Sequence, residues 1–456
     1  MNETIFRKYD IRGIAADDLT DETVENIGKA YATKLIRELG KTGTIGVGRD
    51  ARASSDRLFT ALSRGLRSAG IEVMDLGMVP TPLVYFANFN HDDLIGAIQI
   101  TGSHNPAEYN GFKMMLGKGT LHGAGIRELY DLGSKGDVEV ASTPAGERSW
   151  GDLIENYLGW LVANLSPGER KLKVVLDSGN GVAGVVAPEA VRRVFGAEVI
   201  ELFSEPDANF PNHHPDPTVE KNLQHLIAAV AEHGADLGVA YDGDGDRIGV
   251  VDGQGNIIWG DRLMILLSRA VLAKNPGATI IGEVKCSQTL YDDIASNGGV
   301  PIMSAVGHSL IKAKIKETGA KLAGEMSGHI FFNDRYFGFD DAVYATCRVL
   351  EILTNTDKSL TDLMADVPVT FATPELRVDC GEDRKFDIPG EIADALAAEG
   401  FDVNTIDGAR VNFGEGWGLV RASNTQPVLV LRVEAQSPEL RDEYLARLQK
   451  MVAERQ

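Results

Sequence analysis

The sequence predicts an α/β protein with three similar mixed-sheet α/β domains and a smaller C-terminal α+β domain around a central cleft. Three observations lead to this prediction. A strand–helix–strand pattern occurs three times, a strand ending in a polar, glycine-marked loop follows each copy, and residues 367–456 break the pattern. A chain of 456 residues is long enough for about three or four domains.

The repeated unit is a strand, a helix and a second strand. Such units form largely parallel sheets with helices packed against them, because parallel neighbours need a crossover connection. The copies place strand, helix and strand at 44–50, 55–68 and 70–76, at 173–180, 185–195 and 196–202, and at 279–285, 289–296 and 299–303.

A further strand in each copy leads into a loop that can carry chemistry. These strand-and-loop segments span residues 95–106, 237–247 and 322–329. Ligands of open α/β sheets bind beyond the carboxyl ends of the strands. We therefore expect three equivalent loops to face one cleft.

The C-terminal segment has a different rhythm. Strand-like runs at 376–378, 418–421 and 428–433 precede a terminal helix, for which Ser437 is the expected cap and Pro438 the first residue. A linker is expected at 366–373. The predicted domains are residues 1–148, 149–252, 253–366 and 367–456.

The most distinctive motif is Asp-Gly-Asp-Gly-Asp-Arg at residues 242–247, between two apolar runs that predict buried strands. Three carboxylates this close repel one another unless a cation holds them, and the glycines let the backbone curl so that the oxygens face one point. Hard oxygen ligands favour Mg²⁺ or Ca²⁺ over zinc or copper. Asp242, Asp244 and Asp246 are therefore candidate metal ligands.

Two other interpretations of this motif can be tested on the sequence. An EF-hand loop counted from Asp242 needs Gly at its sixth position and Glu at its twelfth, where the chain has Arg247 and Gly253. The EF-hand is therefore excluded. An aspartyl-nucleophile phosphatase also places Asp-x-Asp after a strand, with Asp242 attacking phosphorus, and it stays a rival.

Charge excludes two classes of partner. Lys and Arg total 45 against 66 Asp and Glu, which gives a formal net charge of −21. This negative field repels nucleic acid and anionic membranes, so neither is an expected partner. A phosphorylated ligand would be repelled as well, so its site must carry local cations.

Cysteine usage and hydropathy indicate a cytoplasmic protein. Cys286, Cys347 and Cys380 are scattered and odd in number, which favours a reducing compartment over a disulfide framework. Residues 1–13 carry charges throughout, so we expect no signal peptide. Nowhere does an apolar run approach the ~18 residues of a membrane helix.

A serine marks the first of the three loops. Ser103 lies in Thr-Gly-Ser-His-Asn-Pro at residues 101–106, where a tight turn exposes it as a candidate nucleophile that needs activation. His104 beside it is equally suited to a structural hydrogen bond or to acting as a base. Lys113 supplies a nearby cation, or a solvated surface charge.

Two later segments offer groups for a phosphorylated sugar. Glu325 and Ser327, just before His329, can bind sugar hydroxyls. The Arg-Ala-Ser-Asn-Thr run at 421–425 combines one guanidinium with a cluster of donors, which suits a phosphate group. Either segment alone also matches a plain loop.

Taken together, these motifs resemble the α-D-phosphohexomutase family, in its phosphomannomutase/phosphoglucomutase group. Members of that family have four domains around a central cleft. The resemblance spans the whole chain, in the family's order, through Tyr-Asp-Ile-Arg-Gly at 9–13, the serine run at 101–106, the aspartate motif at 242–247, Gly-Glu-Met-Ser-Gly-His at 324–329 and the run at 421–425.

The resemblance implies a role for each matched position. It implies that Ser103 is the phosphoserine that donates and accepts the phosphoryl group, and that its phosphate completes the Mg²⁺ site of Asp242, Asp244 and Asp246. The other implied positions are Arg12, Lys113, Arg247 and His329 around the transferring phosphate, Tyr9, Lys285 and His308 along the substrate path, Glu325 and Ser327 at the 3- and 4-hydroxyls, and Arg421, Ser423, Asn424 and Thr425 around the phosphate that does not react. His104 is a further catalytic candidate because of its place beside Ser103.

The implied reaction interconverts hexose 1-phosphate and hexose 6-phosphate, of mannose and glucose. Phosphoserine gives its group to the free hydroxyl, and glucose 1,6-bisphosphate is the implied intermediate and activator. The intermediate must turn around because one serine serves both ends, which predicts one phosphate cradle and a mobile C-terminal domain. His329, Lys113 and His308 are alternative proton-transfer groups.

Three rivals remain at this stage. A sibling enzyme would act on glucosamine phosphate, although Met326 resembles the mannose/glucose group. The aspartyl phosphatase predicts an acyl phosphate on Asp242 that hydroxylamine cleaves, whereas phospho-Ser103 would resist. A non-catalytic sugar-phosphate sensor predicts binding without turnover. The sequence leaves monomer or dimer undecided, and also the preference between mannose and glucose, because no motif addresses C2.

Overall fold

The computed structural model describes residues 1–424 and 426–456, and their strands form four sheets. The first sheet has seven strands, and four helices accompany it. They are β1 (Ile11–Ile14), α1 (Asp21–Leu39), β2 (Thr44–Arg49), α2 (Ser55–Ser68), β3 (Glu72–Met78), α3 (Thr81–Asn90), β4 (Leu94–Ile100), β5 (Tyr109–Leu116), β6 (Gly119–Thr120), α4 (Ala124–Lys135) and β7 (Glu147–Ser149).

The second and third sheets have five and four strands. The second is accompanied by α5 (Leu153–Asn164), β8 (Lys173–Asp177), α6 (Ala187–Phe195), β9 (Glu198–Leu202), α7 (Gln224–His233), β10 (Leu237–Tyr241), β11 (Ile248–Asp252) and β12 (Ile257–Ile258). The third follows with α8 (Gly260–Lys274), β13 (Thr279–Glu283), α9 (Gln288–Ser296), β14 (Val300–Ser304), α10 (His308–Thr318), β15 (Leu322–Gly324), β16 (Ile330–Phe332), α11 (Ala342–Thr354) and α12 (Leu360–Met364).

The three α/β sheets share one arrangement. Their common strand orders are β3-β2-β4-β5, β9-β8-β10-β11 and β14-β13-β15-β16. In each, the first three strands are parallel and the last is antiparallel to its neighbour. The predicted strand–helix–strand repeat is therefore confirmed, and each sheet is mixed because its last strand returns through the loop that the sequence marked.

The C-terminal domain is an antiparallel sheet with two helices. Its elements are β17 (Phe371–Ala372), β18 (Leu376–Asp379), α13 (Ile388–Ala398), β19 (Asp402–Asn404), β20 (Ala409–Asn412), β21 (Gly416–Ala422), β22 (Val428–Ala435) and α14 (Pro438–Ala453). Helix α14 begins as predicted, because the Ser437 side chain accepts a hydrogen bond from the Leu440 amide at 3.3 Å. The four-domain α/β fold class is confirmed.

Sheet membership runs across some predicted domain boundaries. Strand β7 ends at Ser149 in the first sheet, and β12 at Ile258 belongs to the second. Strand β17 lies within the expected linker at 366–373 and pairs with β22. The boundaries at 148, 252 and 366 stay predictions.

The hydrophobic cores show how tightly the domains are joined. One buried cluster runs through the first three domains and includes Leu83, Leu176 and Leu290. The C-terminal domain has its own core, and a small cluster of Val284, Trp417 and Leu419 joins it to the third domain. The C-terminal domain is thus the least attached of the four. Among the described residues, no helix is long and apolar enough to cross a membrane.

Candidate functional site

The site forms where the three equivalent loops meet. Each connects the third and fourth common strand of its domain, at residues 101–108, 242–247 and 325–329. The Ser103 hydroxyl donates to Asp242 Oδ2 at 2.9 Å, and Arg247 Nε donates to His329 Nε2 at 3.0 Å. The expectation that one cleft unites the loops therefore agrees with direct contacts between them.

Ser103 is held in an unusual backbone conformation. Its φ is +50°, a region that side-chain-bearing residues rarely adopt, and its amide donates to Thr101 Oγ1 at 2.8 Å. The loop of Gly243 packs so closely on it that a Cβ on Gly243 would lie 2.5 Å from the Ser103 carbonyl oxygen. His104 Nδ1 lies 3.1 Å from the Ser103 hydroxyl, and burial lowers the pKa of this ring well below its usual value.

The three aspartates are completely buried and lie within one ligand sphere. Oxygens of Asp242, Asp244 and Asp246 all lie within 4.8 Å of one another. Within residues 1–424 and 426–456, Asp244 Oδ1 and Asp246 Oδ1 accept no hydrogen bond. Unpaired buried carboxylate oxygens are costly, so this donor set matches a hard divalent cation.

Lys113 on β5 provides positive charge at the same carboxylates. Its ammonium donates to Asp244 at 2.6 Å and also to Asp246. Burial opposes the charged amine, but the aspartates raise the pKa of Lys113 far above its usual range. Burial likewise opposes a charged Asp244, yet Lys113 lowers the pKa of that carboxyl. In this arrangement Lys113 is a fixed cation, which disfavours the alternative in which it acts as a base.

Two arginines and a histidine surround the serine loop. Arg12 Nη1 donates to the Gly102 carbonyl at 2.8 Å. His329 Nδ1 lies 3.0 Å from Asp340 Oδ2, and Lys312 donates to the other oxygen of Asp340 at 2.9 Å. The carboxylate beside Nδ1 orients the His329 ring, and the ring nitrogen Nε2 faces Arg247.

Tyr9 joins three domains at the edge of the cleft. Its hydroxyl donates to the Val306 carbonyl at 2.8 Å and accepts from Asn424 Nδ2 at 2.7 Å. The His308 ring lies edge-on, 6.4 Å from the Tyr9 ring. Burial, followed by the charge of Lys312, lowers the pKa of His308 well below its usual value.

The cleft itself has a volume of about 460 Å³. Its wall contains most of the residues that the sequence marked, together with several that it did not. The marked residues are Tyr9, Arg12, Ser103, His104, Lys113, Arg247, His308, His329, Arg421, Ser423 and Asn424, and the others include Arg7, Asp10, Asp216, Glu375, Arg377 and Gln426.

The remaining predicted substrate residues lie in the third domain. Lys285 follows β13, and its ammonium donates to Glu375 Oε1 of the C-terminal domain at 2.6 Å. Glu325 is buried and accepts a hydrogen bond from the Gly307 amide at 2.8 Å. Ser327 is half-buried in the same loop. The structure does not place these three in the wall of the 460 Å³ cleft.

The predicted phosphate cradle lies at the end of β21. Arg421 Nε donates to Asp407 Oδ2 at 3.1 Å, which fixes the guanidinium beside the cleft. Ser423 is buried, and Asn424 contacts Tyr9 as described above. Thr425 lies outside the described residues.

Several residues near the site were missed by sequence reasoning. Asp340 and Lys312 orient His329, Thr81 donates to Asp244, and Asp407 holds Arg421. The Asp-Asp pair before α11 is a local signal of buried charge. Thr81 carries no such signal, because only packing brings it to the aspartates.

Glu283 gives a pH-dependent prediction. It accepts hydrogen bonds from the amides of Lys285 and Met326 at 2.6 and 3.2 Å, and burial raises its pKa from 4.5 to about 7. Because the pKa of Glu283 is higher in the folded than in the unfolded protein, its contribution to the stability of the fold is fully present below pH 4.5. That contribution is lost as the pH rises through 7. We expect the free energy of unfolding to fall by about 1–3 kcal/mol between about pH 5 and about pH 8 because of this group.

Denaturant unfolding curves across that pH range measure the effect. Glu283→Gln should flatten the profile, whereas the exposed Glu220→Gln should leave it unchanged. Identical slopes in the parent and Glu283→Gln proteins would show that Glu283 has an ordinary pKa.

Fold and site together define a class of protein, a four-domain α/β enzyme of phosphoryl transfer. Family models of phosphoglucomutase/phosphomannomutase match the chain in order, with alpha/beta/alpha domain I at residues 3–131, domain II at 155–255, domain III at 259–371 and the C-terminal domain at 375–454. The chain belongs to the phosphoglucomutase/phosphomannomutase family.

Relatives match over nearly the whole chain. A phosphomannomutase/phosphoglucomutase of Pseudomonas putida is 46% identical over 441 residues, which cover 95% of this chain and 92% of that protein. A phosphoglucomutase of Neisseria meningitidis serogroup A is 46% identical over 433 residues, 94% of this chain and 93% of its own. The chain is thus an isomerase that works as an intramolecular phosphotransferase.

A solved structure supports the fold independently. The crystal structure of a phosphoglucomutase/phosphomannomutase family protein from Burkholderia thailandensis matches with a TM-score of 0.91 and 41% identity. The match covers 99% of this chain and 97% of that one. The family resemblance inferred from five short motifs is confirmed.

Proposed function

We propose that this enzyme interconverts the 1- and 6-phosphates of mannose and glucose through phospho-Ser103 and a 1,6-bisphosphate. One observation carries the proposal. The Ser103 hydroxyl, 2.9 Å from Asp242, opens into the same 460 Å³ cleft whose wall contains Arg421. A sugar with a phosphate at each end needs a phosphoryl donor and an anion-binding group in one cavity.

The proposed transfer relies on charge and position. Arg12, Arg247 and Lys113 neutralise the oxygens of the moving phosphoryl group, which is the main requirement of this chemistry. Asp242, Asp244, Asp246 and the phosphate of Ser103 would hold Mg²⁺, which supplies further positive charge to the phosphoryl oxygens.

We propose that His329 accepts the proton of the sugar hydroxyl. Asp340 lies 3.0 Å from its Nδ1 and orients the ring. His308 is the alternative, because its ring stacks on His329 at 5.6 Å. Glu325 and Ser327 are proposed to bind the 3- and 4-hydroxyls once the third and fourth domains close on the sugar.

The C-terminal domain is proposed to move during the reaction. The bisphosphate must turn so that its second phosphate meets Ser103, and the Arg421 cradle then receives the first. The separate core of this domain supports such movement. The Lys285–Glu375 and Tyr9–Asn424 contacts are the bonds that opening would break.

The setting follows from the proposed chemistry. Glucose 1,6-bisphosphate is the proposed activator, because it restores phosphate to Ser103, and hexose phosphates are the proposed ligands. The three cysteines are buried and unpaired, which supports a reducing, cytoplasmic location.

A coupled assay tests the substrates. With Mg²⁺ and a trace of glucose 1,6-bisphosphate, we expect the parent protein to form 6-phosphates from mannose 1-phosphate and glucose 1-phosphate. Turnover of glucosamine 1-phosphate alone would favour the sibling specificity. Hydroxylamine-labile phosphate on the protein would favour the Asp242 nucleophile, and binding without turnover would favour a sensor.

Arg421→Gln should weaken substrate binding. Loss of a charge-assisted phosphate contact should raise KM by about 10- to 100-fold, roughly 1.5–3 kcal/mol, and leave kcat less affected. Steady-state kinetics with glucose 1-phosphate measure the change. Arg441→Gln, which removes a surface arginine of the same domain paired with Asp442, should behave as the parent. A decrease in kcat at unchanged KM would show that Arg421 does not bind the phosphate that does not react.

A further inference from the structure

A buried arginine lies beneath the Ser103 loop and is not part of the cleft wall. Arg52 lies between β2 and α2, and its side chain is 0% exposed. Its guanidinium donates to three main-chain carbonyls of this loop and to the carbonyl of Tyr109, the first residue of β5. The acceptors are Ser103 at 2.8 Å, Asn105 at 2.6 Å, Pro106 at 2.5 Å and Tyr109 at 2.8 Å.

Asp50 holds the other side of the same loop. It accepts hydrogen bonds from the Gly102 amide at 3.1 Å and from the Ser55 hydroxyl at 2.7 Å. It also pairs with Arg52 Nε at 3.2 Å. The Arg52–Asp50 pair therefore engages both donors and acceptors of the loop that carries the serine.

The third domain contains part of the same arrangement. Glu283 ends β13 as Asp50 follows β2, and it accepts from the Met326 amide at 3.2 Å. Met326 and Gly102 are each the second residue after the third common strand. The first and the third domain thus each have a carboxylate that accepts a hydrogen bond from the amide at this position. Arg52 is an additional anchor for the serine loop.

The loop needs such an anchor because its conformation is unfavourable on its own. Ser103 adopts a φ of +50°, which persists only when its surroundings hold it. Arg52 also fills the space beneath Gly102, where a Cβ would lie 2.4 Å from the guanidinium carbon. Without the guanidinium, each of these four carbonyls loses one hydrogen bond and the loop can relax.

We infer that Arg52, paired with Asp50, is a positioning residue that holds Ser103 in line for phosphoryl transfer through the main chain, without touching substrate. The inference rests on the proposed role of Ser103 as phosphoryl carrier. Arg12, Arg247 and Arg421 reach the cleft, whereas the contacts of Arg52 with the serine loop go to its main chain, and its other contacts are to Asp50 and to the ring of Phe210. Its removal should slow transfer and leave sugar binding intact.

The test compares Arg52→Lys and Arg52→Ala with the control Arg49→Met. Arg49 lies on β2, pairs with Asp56 and Asp75, and makes no contact with the serine loop among its described hydrogen bonds and ion pairs. We expect kcat to fall about 100-fold in Arg52→Ala with KM within about threefold of the parent, because a displacement of about 1 Å is enough for such a loss. Arg49→Met should lower only thermal stability.

Chemical rescue separates positioning from general stability. Guanidinium ion at millimolar concentration should restore part of the kcat of Arg52→Ala and none of that of Ser103→Ala. If Arg52→Ala does not fold, Arg52→Lys provides the test, because an ammonium group cannot replace the several hydrogen bonds of a guanidinium. We expect Arg52→Lys to lower kcat and to leave KM unchanged. Unchanged kcat in Arg52→Lys, or a rise in KM at constant kcat, would overturn the inference.

The same data separate this inference from the proposed function. A parent that turns over sugar phosphates while Ser103→Ala does not establishes the carrier. With that result, Arg52 variants equal to the parent overturn only the positioning role. A parent without phosphoserine or turnover overturns both.

Discussion

Ser103→Ala is expected to abolish mutase turnover, with kcat lower by about 10⁴-fold or more, because no other group takes over a removed nucleophile. Ser103 is 3% exposed, and its hydroxyl donates to Asp242 at the junction of two domain loops. A methyl group leaves the loop conformation intact but provides no oxygen to carry phosphate. The measurement is the coupled assay with both sugar 1-phosphates, together with intact-protein mass before and after incubation with glucose 1,6-bisphosphate.

The matched control for this variant is Ser178→Ala. Ser178 is a buried serine directly after β8 of the second domain, and its hydroxyl has no partner among the described residues. We expect Ser178→Ala to retain turnover and phosphate incorporation. Full activity of Ser103→Ala would show that Ser103 is not the phosphoryl carrier and would favour Asp242 as the nucleophile.

Lys113→Met is expected to lower the free energy of unfolding by about 3 kcal/mol in the absence of divalent cations. Its side chain is 4% exposed, and its ammonium offsets the charges of Asp244 and Asp246, both completely buried. Removing one partner of a buried ion pair leaves uncompensated charge, which is strongly destabilising. Denaturant unfolding in the presence of a chelator measures the change.

Mg²⁺ should recover part of this loss. A ligand that binds only the native state stabilises it. In the parent protein the Lys113 ammonium competes with Mg²⁺ for the same carboxylates, and Lys113→Met removes this competition. The rise in Tm on adding Mg²⁺ should therefore be larger in Lys113→Met than in the parent.

Lys34→Met provides the comparison in the same domain. Lys34 is also nearly buried, at 6%, but its partners Glu38 and Glu128 are about half exposed, and it lies away from the aspartates. We expect a smaller loss and no dependence on Mg²⁺ beyond that of the parent. If both variants lose the same stability and ignore Mg²⁺ alike, the aspartates do not form the metal site.

The fold was largely predictable because its signals are local. Alternating apolar runs, glycine-ended helices and the Ser437 cap each depend on neighbouring residues, and the three repeats reinforce one another. The antiparallel direction of the fourth strand in each sheet was not predictable from the sequence, because short apolar runs such as β16 do not reveal their direction. Strand β12 and the exact domain limits depend on pairing between distant segments.

The candidate site was predictable where its groups follow one another in sequence. Asp242, Asp244 and Asp246 alternate with glycines, so spacing alone points to a shared cation. Other groups that contact the side chains of the candidate site come from more distant parts of the sequence. Asp340 beside His329 and Thr81 beside Asp244 reach the site only through packing.

By itself, the sequence determined the repeated α/β units, the polar loops that end their strands and the spacing of the three aspartates, because these depend on periodicity and on spacing within a few residues. Only the tertiary structure decided that Lys113 contacts Asp244, 131 residues away in the sequence, and that Tyr9 bonds to Asn424 across 415 residues. It also decided the anchoring of the Ser103 loop by Arg52. The physical reason is that charge state and loop geometry depend on burial and on distant partners, which no local pattern records.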